Sequence, residues 1–451
     1  MERDRRVPGR RGSSRARGRT WLALLPVLVL AACGGGGVDD DDGAASGASP
    51  TTAAEGSTQD GATEEDPSEG AAAEGEPIKI GMPTTLSGSI ALFGEANRDG
   101  AQLAVDELND AGGVLGRPVE LIVQDDQAKP EVAAQLARDM IIADEVSVLL
   151  GGVSSAAALA VTEVSEERKI PFIVHTSNTE ALTVEQFQPY VVSVVPNTGM
   201  EARAQGVDLA DSEFTRWATI APNYEFGQRQ TGTFVETLQR ENPAIEIVEQ
   251  QFPELGESDF QPFITSLLSA DPEAVYSPLF AGDLITFTQQ AANLGLFDEV
   301  YFTALYETDA LQELGDQYDL DGVRAYSRCP FTVDTEQMSA FVETYDERFG
   351  EIPSDWACMA YDAVKLWAAV VEEAGDLDAD LFTETVEGFE FTSLRGETTI
   401  RAIDHQASVP SYIGALELDE DLGFYVYGDL QAVPAEDIWL SEEEITELRG
   451  G

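Results

Sequence analysis

The segment Val148-Leu-Leu-Gly-Gly-Val-Ser-Ser-Ala-Ala-Ala-Leu159 is an apolar run that stops at two glycines and resumes, after two serines, as an alanine-rich stretch. This order of residues is typical of a strand, a tight loop and the start of a helix. The free N–H groups of a helix N-terminus, with the hydroxyl groups of Ser154 and Ser155, suit a small anionic or carbonyl-bearing ligand. The same residues also fit an ordinary capped helix in an α/β sheet. The rest of the chain decides between these two interpretations.

The flanking segments repeat this alternation along the chain. Short β-branched runs alternate with longer helical patterns from Pro77 onward, the first helix at 95–109, which indicates βαβ units and mostly parallel sheets. The predicted strands fall into two sets, at 78–84, 119–124, 146–151 and 171–175, and at 217–221, 245–252, 274–280 and 300–305. Amphipathic helices at 336–349 and 356–373 then precede short strands. We therefore expect an α/β protein of two doubly wound lobes, a hinge of several crossovers and a cleft lined by strand ends.

Composition narrows the class of protein. The chain has 451 residues, of which 43% are hydrophobic, and this is enough for two or more domains with their own cores. It carries 83 acidic and 26 basic residues, a formal net charge of −57. Such a charge argues against nucleic acid and anionic membrane surfaces as partners and indicates a hydrated acidic surface.

The N-terminal segment predicts export. Eight arginines precede the twelve-residue apolar run from Trp21 to Ala32, which is shorter than the roughly 20 residues that span a bilayer. The run ends in Leu30-Ala-Ala-Cys33, which resembles a bacterial lipobox. We expect residues 1–33 to be a signal peptide with a lipobox, and Cys33 to carry the lipid that anchors the protein to the outer face of the cell membrane. Residues 34–76 are rich in Gly, Ala, Ser, Thr and acidic residues, which predicts a disordered acidic tether.

Two further cysteines, Cys329 and Cys358, remain as an even pair in an oxidising location. They form either a disulfide or two free buried thiols. A bridge closing this loop would stabilise the fold by about 3–4 kcal/mol in the chain-entropy model. The two histidines, His175 and His405, add no metal-ligand spacing, so the sequence predicts neither a metal site nor a cofactor.

The loops that follow the predicted strands favour binding over catalysis. They carry hydroxyls, amides and aromatic rings, as ligand pockets do, and they span residues 86–94, 152–155, 175–179, 223–227, 280–283 and 305–308. The sequence contains no nucleophile elbow, P-loop, dinucleotide fingerprint or zinc-protease motif, and we expect no enzyme. A secreted hydrolase that uses Asp404-His405 is the weaker alternative.

Several motifs together resemble the branched-chain amino-acid (Leu/Ile/Val) type substrate-binding proteins of ABC importers. They cover the chain from Pro77 to about Leu418 and comprise Ile80–Gly88, Phe93-Gly94, Gly100–Gly113, Gly116–Leu121, Asp125-Asp126, the Gly-Gly…Ser-Ser loop, Phe341–Gly350 and Ala360–Val364. The resemblance implies a type I periplasmic binding protein fold with a three-crossing hinge, near residues 196–198, 328–331 and 402–406. The first lobe then comprises residues 77–196 plus 330–401, and the second lobe residues 197–329 plus 402–451.

The resemblance also implies a ligand site. The carboxylate or carbonyl end of the ligand would lie on Ser155 and the backbone of Thr176–Asn178, and phenylalanines would form aromatic walls. Tyr306 stands where amino-acid binders tend to place a carboxylate for the ligand's ammonium, and only the next residue, Glu307, is acidic. A tyrosine there fits an aromatic acid, an amide or another solute with an uncharged head. The expected ligand-binding residues are Phe93, Ser154, Ser155, Thr176, Ser177, Asn178, Phe226, Phe280 and Tyr306.

The leading functional hypothesis is a lipid-anchored, monomeric receptor that closes on a small solute and delivers it to ABC permease subunits. A second hypothesis is a ligand sensor that signals to a membrane kinase, and the sequence does not separate the two. A gene regulator on the same fold is excluded by the export signal and by the missing helix-turn-helix.

Overall fold

The structure is a computed structural model that describes residues 73–88 and 90–450. The predicted signal peptide, the lipidation site Cys33 and residues 34–72 of the tether lie outside the described residues. Those expectations therefore stay predictions.

Five parallel strands form the first sheet, in the order β2-β1-β3-β4-β5. The strands are β1 (Ile78–Thr84), β2 (Val119–Asp125), β3 (Val148–Gly151), β4 (Phe172–Val174) and β5 (Val191–Ser193). The helices between them are α1 (Ala91–Asp110), α2 (Pro130–Asp139) and α3 (Ser155–Arg168), with a π-helical turn at Met140–Asp144 and a 3₁₀ turn at Glu180–Leu182. Because the chain reverses its direction across the sheet between β1 and β3, this is the switch point at which α/β sheets bind ligands.

A second sheet repeats this arrangement. Its parallel strands are β6 (Arg216–Ile220), β7 (Glu246–Gln251), β8 (Ala274–Ser277), β9 (Tyr301–Leu305) and β10 (Arg324–Ser327). The associated helices are α4 (Thr198–Ala210), α5 (Glu225–Glu241), α6 (Gln261–Ser269), α7 (Ala281–Asn293), α8 (Leu296–Glu299) and α9 (Thr308–Leu314). The parallel strands lie in the order β7-β6-β8-β9-β10, the same winding as in the first sheet, with a switch point between β6 and β8. The two sets share architecture although their sequences show no repeat.

The C-terminal third adds to both sheets. Its elements are α10 (Glu336–Phe349), α11 (Asp355–Ala374), α12 (Ala379–Val386), β11 (Glu390–Ser393), β12 (Gly396–Thr399), β13 (Ser411–Asp419), β14 (Phe424–Val433), a 3₁₀ turn (Ala435–Asp437) and α13 (Glu442–Leu448). Strands β13 and β14 extend the second sheet antiparallel to β10. Helix α11 packs on α1, and a Cβ at Gly100 would lie 2.0 Å from the carbonyl oxygen of Ala357. The two helices therefore need glycine at this contact.

The chain passes between the sheets three times. It leaves the first sheet after β5 for α4, and leaves the second sheet after β10 for α11. The third passage differs from the expected 402–406, because Gln406 pairs in parallel with Ser193 and the Ala407 amide donates to the Ser193 carbonyl at 2.8 Å. These contacts hold residues 404–407 on the first sheet. The crossing therefore falls between residues 407 and 411.

The α/β class and the two doubly wound sheets are confirmed. Helix α1 begins at Ala91, earlier than the expected Glu95, and α4 has no counterpart among the predicted helices. Helix α4 is buried around most of its circumference and buries Glu201 and Gln205 as well as apolar residues. It therefore lacks the single apolar stripe from which helices are predicted.

The apolar core falls into separate clusters. Two clusters cover the first sheet, a third fills the second sheet, and a further cluster joins the two sheets. The joining cluster includes Phe93, Phe280 and Trp356, together with Cys329 and Cys358. These two cysteines form a disulfide with their Cα atoms 6.3 Å apart, linking the end of β10 to α11 across the second crossing.

Candidate ligand-binding site

A cavity of about 360 Å³ lies between the two sheets, at the carboxyl ends of their parallel strands. This volume is within the range of small-molecule sites. Its lining residues are Ile90, Phe93, Ala128, Val153, Ser154, Ser155, Thr176, Ser177, Asn178, Asn223, Tyr224, Phe226, Glu254, Leu255, Phe280, Leu305, Arg328 and Trp356. The cavity thus opens at the switch points of both sheets, where the topology predicts ligand binding.

The loop after β3 forms part of the polar end. Gly151 has φ +132°, and a Cβ there would lie 2.6 Å from the carbonyl oxygen of Pro83, so the close approach of β3 to β1 requires glycine. Ser154 is the N-cap residue of α3, yet its side chain makes no capping hydrogen bond to the described helix. If the loop were only an ordinary helix cap, the Ser154 side chain would accept a hydrogen bond from a backbone N–H of the first turn of α3. Ser154 instead lines the cavity.

The loop after β4 completes the polar end. The Ser177 amide donates to the Gly152 carbonyl at 2.7 Å, which joins the two loops. The Thr176 hydroxyl donates to Asn97 Oδ1 at 3.0 Å, and Asn178 Nδ2 donates to Glu201 Oε2 at 2.8 Å. The Ser177 hydroxyl is buried and has no hydrogen-bond partner within residues 73–88 and 90–450. Because buried polar groups are normally hydrogen-bonded, this hydroxyl is available to a ligand.

Aromatic rings form the remaining walls. The Phe93 ring lies 4.1 Å from the Trp356 ring and 5.8 Å from the Phe280 ring, measured between centroids. Phe226 meets Phe280 edge-on at 5.5 Å, and Tyr224 stacks on Phe226 at 5.9 Å. Phe93 comes from α1, Trp356 from α11 and Phe226 from the first turn of α5, while Tyr224 and Phe280 are the N-cap residues of α5 and α7. The wall is therefore assembled from both sheets.

Arg328, directly after β10, is the buried cation of the site. Its guanidinium donates to both carboxylate oxygens of Glu201 and, through Nη1, to the Thr176 carbonyl at 3.3 Å. It lies over the rings of Trp356 and Phe226, 5.2 and 5.9 Å from their centroids. Burial alone would lower the pKa of Arg328, but the Glu201 charge and its hydrogen bonds outweigh burial and raise the pKa. Arg328 thus stays charged. It joins the loop after β4, through Thr176, to helix α4, through Glu201.

The expectation for Tyr306 is wrong. Its side chain is fully buried in the core of the second sheet, with Oη 2.9 Å from Thr288 Oγ1, and it does not line the cavity. The preceding residue, Leu305, lines it instead. Successive side chains of an extended chain point to opposite faces, so Leu305 faces the cavity and Tyr306, one position later, faces the core.

Glu307 does not supply the missing carboxylate. It is buried outside the cavity lining, and its two carboxyl oxygens have no hydrogen-bond partner in the described part of the chain. Burial raises the pKa of Glu307 well above its ordinary value, and the nearby charge of Asp355 adds to this effect. The neutral acid is therefore favoured.

Asp404 and His405 do not form a catalytic dyad. The Arg401 guanidinium pairs with Asp404, with Nε 2.9 Å from Oδ1. His405 Nδ1 lies 3.1 Å from the Val191 carbonyl oxygen, and burial lowers the pKa of its imidazole. His405 therefore contacts β5, and Asp404 holds the turn between Arg401 and Gln406. The alternative of a secreted hydrolase that uses Asp404 and His405 is therefore not supported.

Within residues 73–88 and 90–450, no three His, Cys, Asp or Glu side chains are placed to hold a metal ion together. Over the same ranges, no helix has both the length and the apolar character needed to cross a membrane.

Of the nine expected ligand-binding residues, the cavity brings together all except Tyr306. Five further lining residues were expected only as parts of loops, namely Ile90, Val153, Asn223, Tyr224 and Leu305. The remaining lining residues, Ala128, Glu254, Leu255, Arg328 and Trp356, were not among the expected binding residues or loops. Arg328 carried one available signal, since it is a charged residue between an apolar strand and Cys329. Trp356 carried none, because only the packing of α11 brings it to Phe93.

Comparison with known proteins gives consistent matches. Residues 77–421 match the family model described as periplasmic binding protein. The Leu/Ile/Val-binding protein homolog 4 of Brucella abortus is 24% identical over 361 residues, covering 76% of this chain and 85% of that protein. A solute-binding protein of an ABC transporter from Rhodopseudomonas palustris BisB5, in complex with 3,4-dihydroxybenzoic acid, is 25% identical with a TM-score of 0.74, covering 80% of this chain and 98% of that one. The branched-chain amino-acid transporter substrate-binding protein of Streptococcus pneumoniae, in complex with isoleucine, shares the fold at 23% identity and TM-score 0.71, covering 80% and 100%.

Proposed function

The chain belongs to the periplasmic binding protein family, and on that premise we propose that it captures a small carboxylate solute between its two sheets and delivers it to an ABC importer. The resemblance seen in the sequence is confirmed, and with it a non-enzymatic solute-binding protein located outside the cytoplasm. The importer partner, the lipid anchor, the monomeric state and the lobe boundaries remain parts of the proposal.

The observation that carries the proposal is the composition of the cavity. Hydroxyls and a helix N-terminus lie on the first-sheet side, and aromatic rings from both sheets close the rest. The names of the relatives support two solute classes, branched-chain amino acids and aromatic acids. We assign the carboxylate or carbonyl end of the solute to Ser154, Ser155, Thr176, Ser177 and Asn178, and its body to Phe93, Phe226 and Phe280.

Closure of two lobes on the solute follows from this arrangement. We take the lobes as residues 77–196 plus 330–407 and residues 197–329 plus 408–451, so that the boundary expected between residues 401 and 402 moves to follow Ala407. A solute that touches both walls binds the closed form more tightly than the open form. A shift from 1:99 to 99:1 in favour of closure needs a difference of about 5.5 kcal/mol.

The first test is Ser155→Ala. If the Ser155 hydroxyl meets a buried polar group of the solute, its removal weakens binding by about 1–3 kcal/mol. A thermal-shift panel of amino acids, amides and aromatic acids identifies the solute, and titration calorimetry compares the variants. Ser339→Ala, on the exposed face of α10, is the matched control and leaves affinity unchanged. A panel without any ligand contradicts the proposed function, and unaltered affinity of Ser155→Ala removes this residue from the site.

The lipid anchor has its own test. Cys33→Ala removes the sulfur that would carry the diacylglycerol, so the protein moves from the membrane fraction to the soluble fraction. Immunoblots of fractionated cells measure this, and mass spectrometry of the wild-type N-terminus identifies the modification. A wild-type protein that is already soluble contradicts the anchor.

A further inference from the structure

The cavity is poor in negative charge. Among its described lining residues, the one carboxylate is Glu254, which is exposed at the edge. Asn223 Nδ2 donates to Glu254 Oε1 at 2.6 Å and holds this carboxylate at the loop after β7. The nearby Glu201 is occupied by Arg328 and by Asn178. Glu307 is buried outside the lining, and burial raises its pKa well above the ordinary value, which favours the uncharged acid.

Hydrogen-bond donors are abundant in the same space. Ser154, Ser155 and Ser177 line the cavity with hydroxyls, beside the N-terminal N–H groups of α3. Arg328 has five N–H donors, of which the Glu201 and Thr176 bonds occupy three. The remaining donors lie on its two terminal nitrogens, and Arg328 lines the cavity. Arg328 and Glu201 neutralise each other, so the site offers unused N–H donors, hydroxyls and a helix N-terminus, and little to attract a cation.

From this imbalance, and resting on the proposed function, we infer that the cavity selects carboxylates without an ammonium group over the corresponding α-amino acids. The donors on the first-sheet side match a carboxylate. An ammonium in the same cavity loses its hydration and gains no buried counter-charge, since Glu254 is exposed at the edge, and this is unfavourable for a buried ion. The rings of Phe93, Phe226, Phe280 and Trp356 then suit a flat apolar body in place of a second charged group.

Two pairs of compounds test the inference, because the members of each pair differ only in the ammonium. They are 3-phenylpropanoate against L-phenylalanine, and 4-methylpentanoate against L-leucine. Calorimetry on the full-length protein is expected to show the ammonium-free member binding at least about tenfold more tightly in each pair. The aromatic acid is expected to bind more tightly than the aliphatic acid.

An amino acid that binds as tightly as its ammonium-free partner overturns the inference while the proposed function stands. If no member of either pair binds but another solute of the panel does, the inference is also overturned and the proposed function stands. The failure of every solute overturns both.

Glu307→Gln gives an independent check, since the amide keeps the size of the neutral acid and cannot ionise. The affinity ratio within each pair is expected to stay unchanged, with thermal unfolding of the ligand-free variant as the control for folding. Amino-acid binding in the wild type that disappears in this variant shows that Glu307 acts as a counter-charge, and this result also overturns the inference.

Discussion

The two walls of the cavity grow from sheets with the same strand order and differ in chemistry. On the first sheet, the segments after β3 and β4 present Ser154, Ser155 and Ser177. On the second sheet, the segments after β6 and β8 present Phe226 and Phe280. The winding decides where a ligand binds, because it brings the strand ends together, and the few residues after each strand decide which part of the ligand each wall receives.

The strongest test of this comparison removes the group that joins the two walls. Arg328→Ala leaves Glu201 buried without its cation, and the loss of one partner of a buried pair costs about 3–5 kcal/mol of unfolding free energy. Urea denaturation measures the change. Arg348→Ala breaks an exposed pair with Asp106 and is the control, with little change expected. Equal stability of the two variants contradicts the role given to Arg328.

The two sides also respond to pH in opposite directions. On the first-sheet side, burial lowers the pKa of His175 to about 3, so stability is lost as the pH falls below 6.5 toward that value. On the second-sheet side, burial raises the pKa of Asp309 to about 7 from 3.8, and Asp355 adds to the shift. The folded state holds this proton where the unfolded state releases it. Stability from Asp309 is therefore present below pH 3.8 and lost as the pH rises through 7.

Asp309→Asn isolates the second effect. Between pH 5 and pH 8 the wild type is expected to lose more unfolding free energy than this variant, as measured by urea denaturation at each pH. Glu347→Gln, an exposed acid on α10, is the control and keeps the wild-type pH dependence. Identical profiles for the wild type and Asp309→Asn contradict the assignment.

The smallest expected effect concerns the first wall alone. Ser154→Ala removes a hydroxyl that makes no capping bond to α3, so stability changes by less than about 0.5 kcal/mol. Thr335→Ala removes a cap that accepts from the Met338 amide at 3.0 Å, and it costs about 1 kcal/mol. Thermal unfolding compares the two variants. A larger loss for Ser154→Ala returns the Gly-Gly-Val-Ser-Ser loop to the ordinary-cap interpretation.

Much of the fold was predictable because each sheet alternates strands and helices in chain order. The sequence did not predict the direction of side chains at the end of β9 or the presence of α4, and each failure has a physical reason. Strand β9 and the residue after it are buried on both faces, so hydrophobicity does not show that Leu305 faces the cavity and Tyr306 the core. Helix α4 is enclosed on most sides and gives no stripe to detect.

Site residues were predictable where they lie directly after a single predicted strand, as Ser154 and Ser177 do. Arg328 and Trp356 escaped prediction because their positions depend on contacts between distant parts of the chain. The third crossing shifted for the same reason, since the pairing of Gln406 with Ser193 joins distant segments. Local patterns do not carry this information.

The contact between Gly100 and Ala357 bears on how the protein is made. Helix α1 leaves the ribosome early, but the helix it packs against, α11, is translated only after the whole parallel part of the second sheet. The first sheet therefore remains without one of its covering helices until late in synthesis. A nascent chain stalled before residue 355 is expected to expose the apolar face of α1 to chaperones.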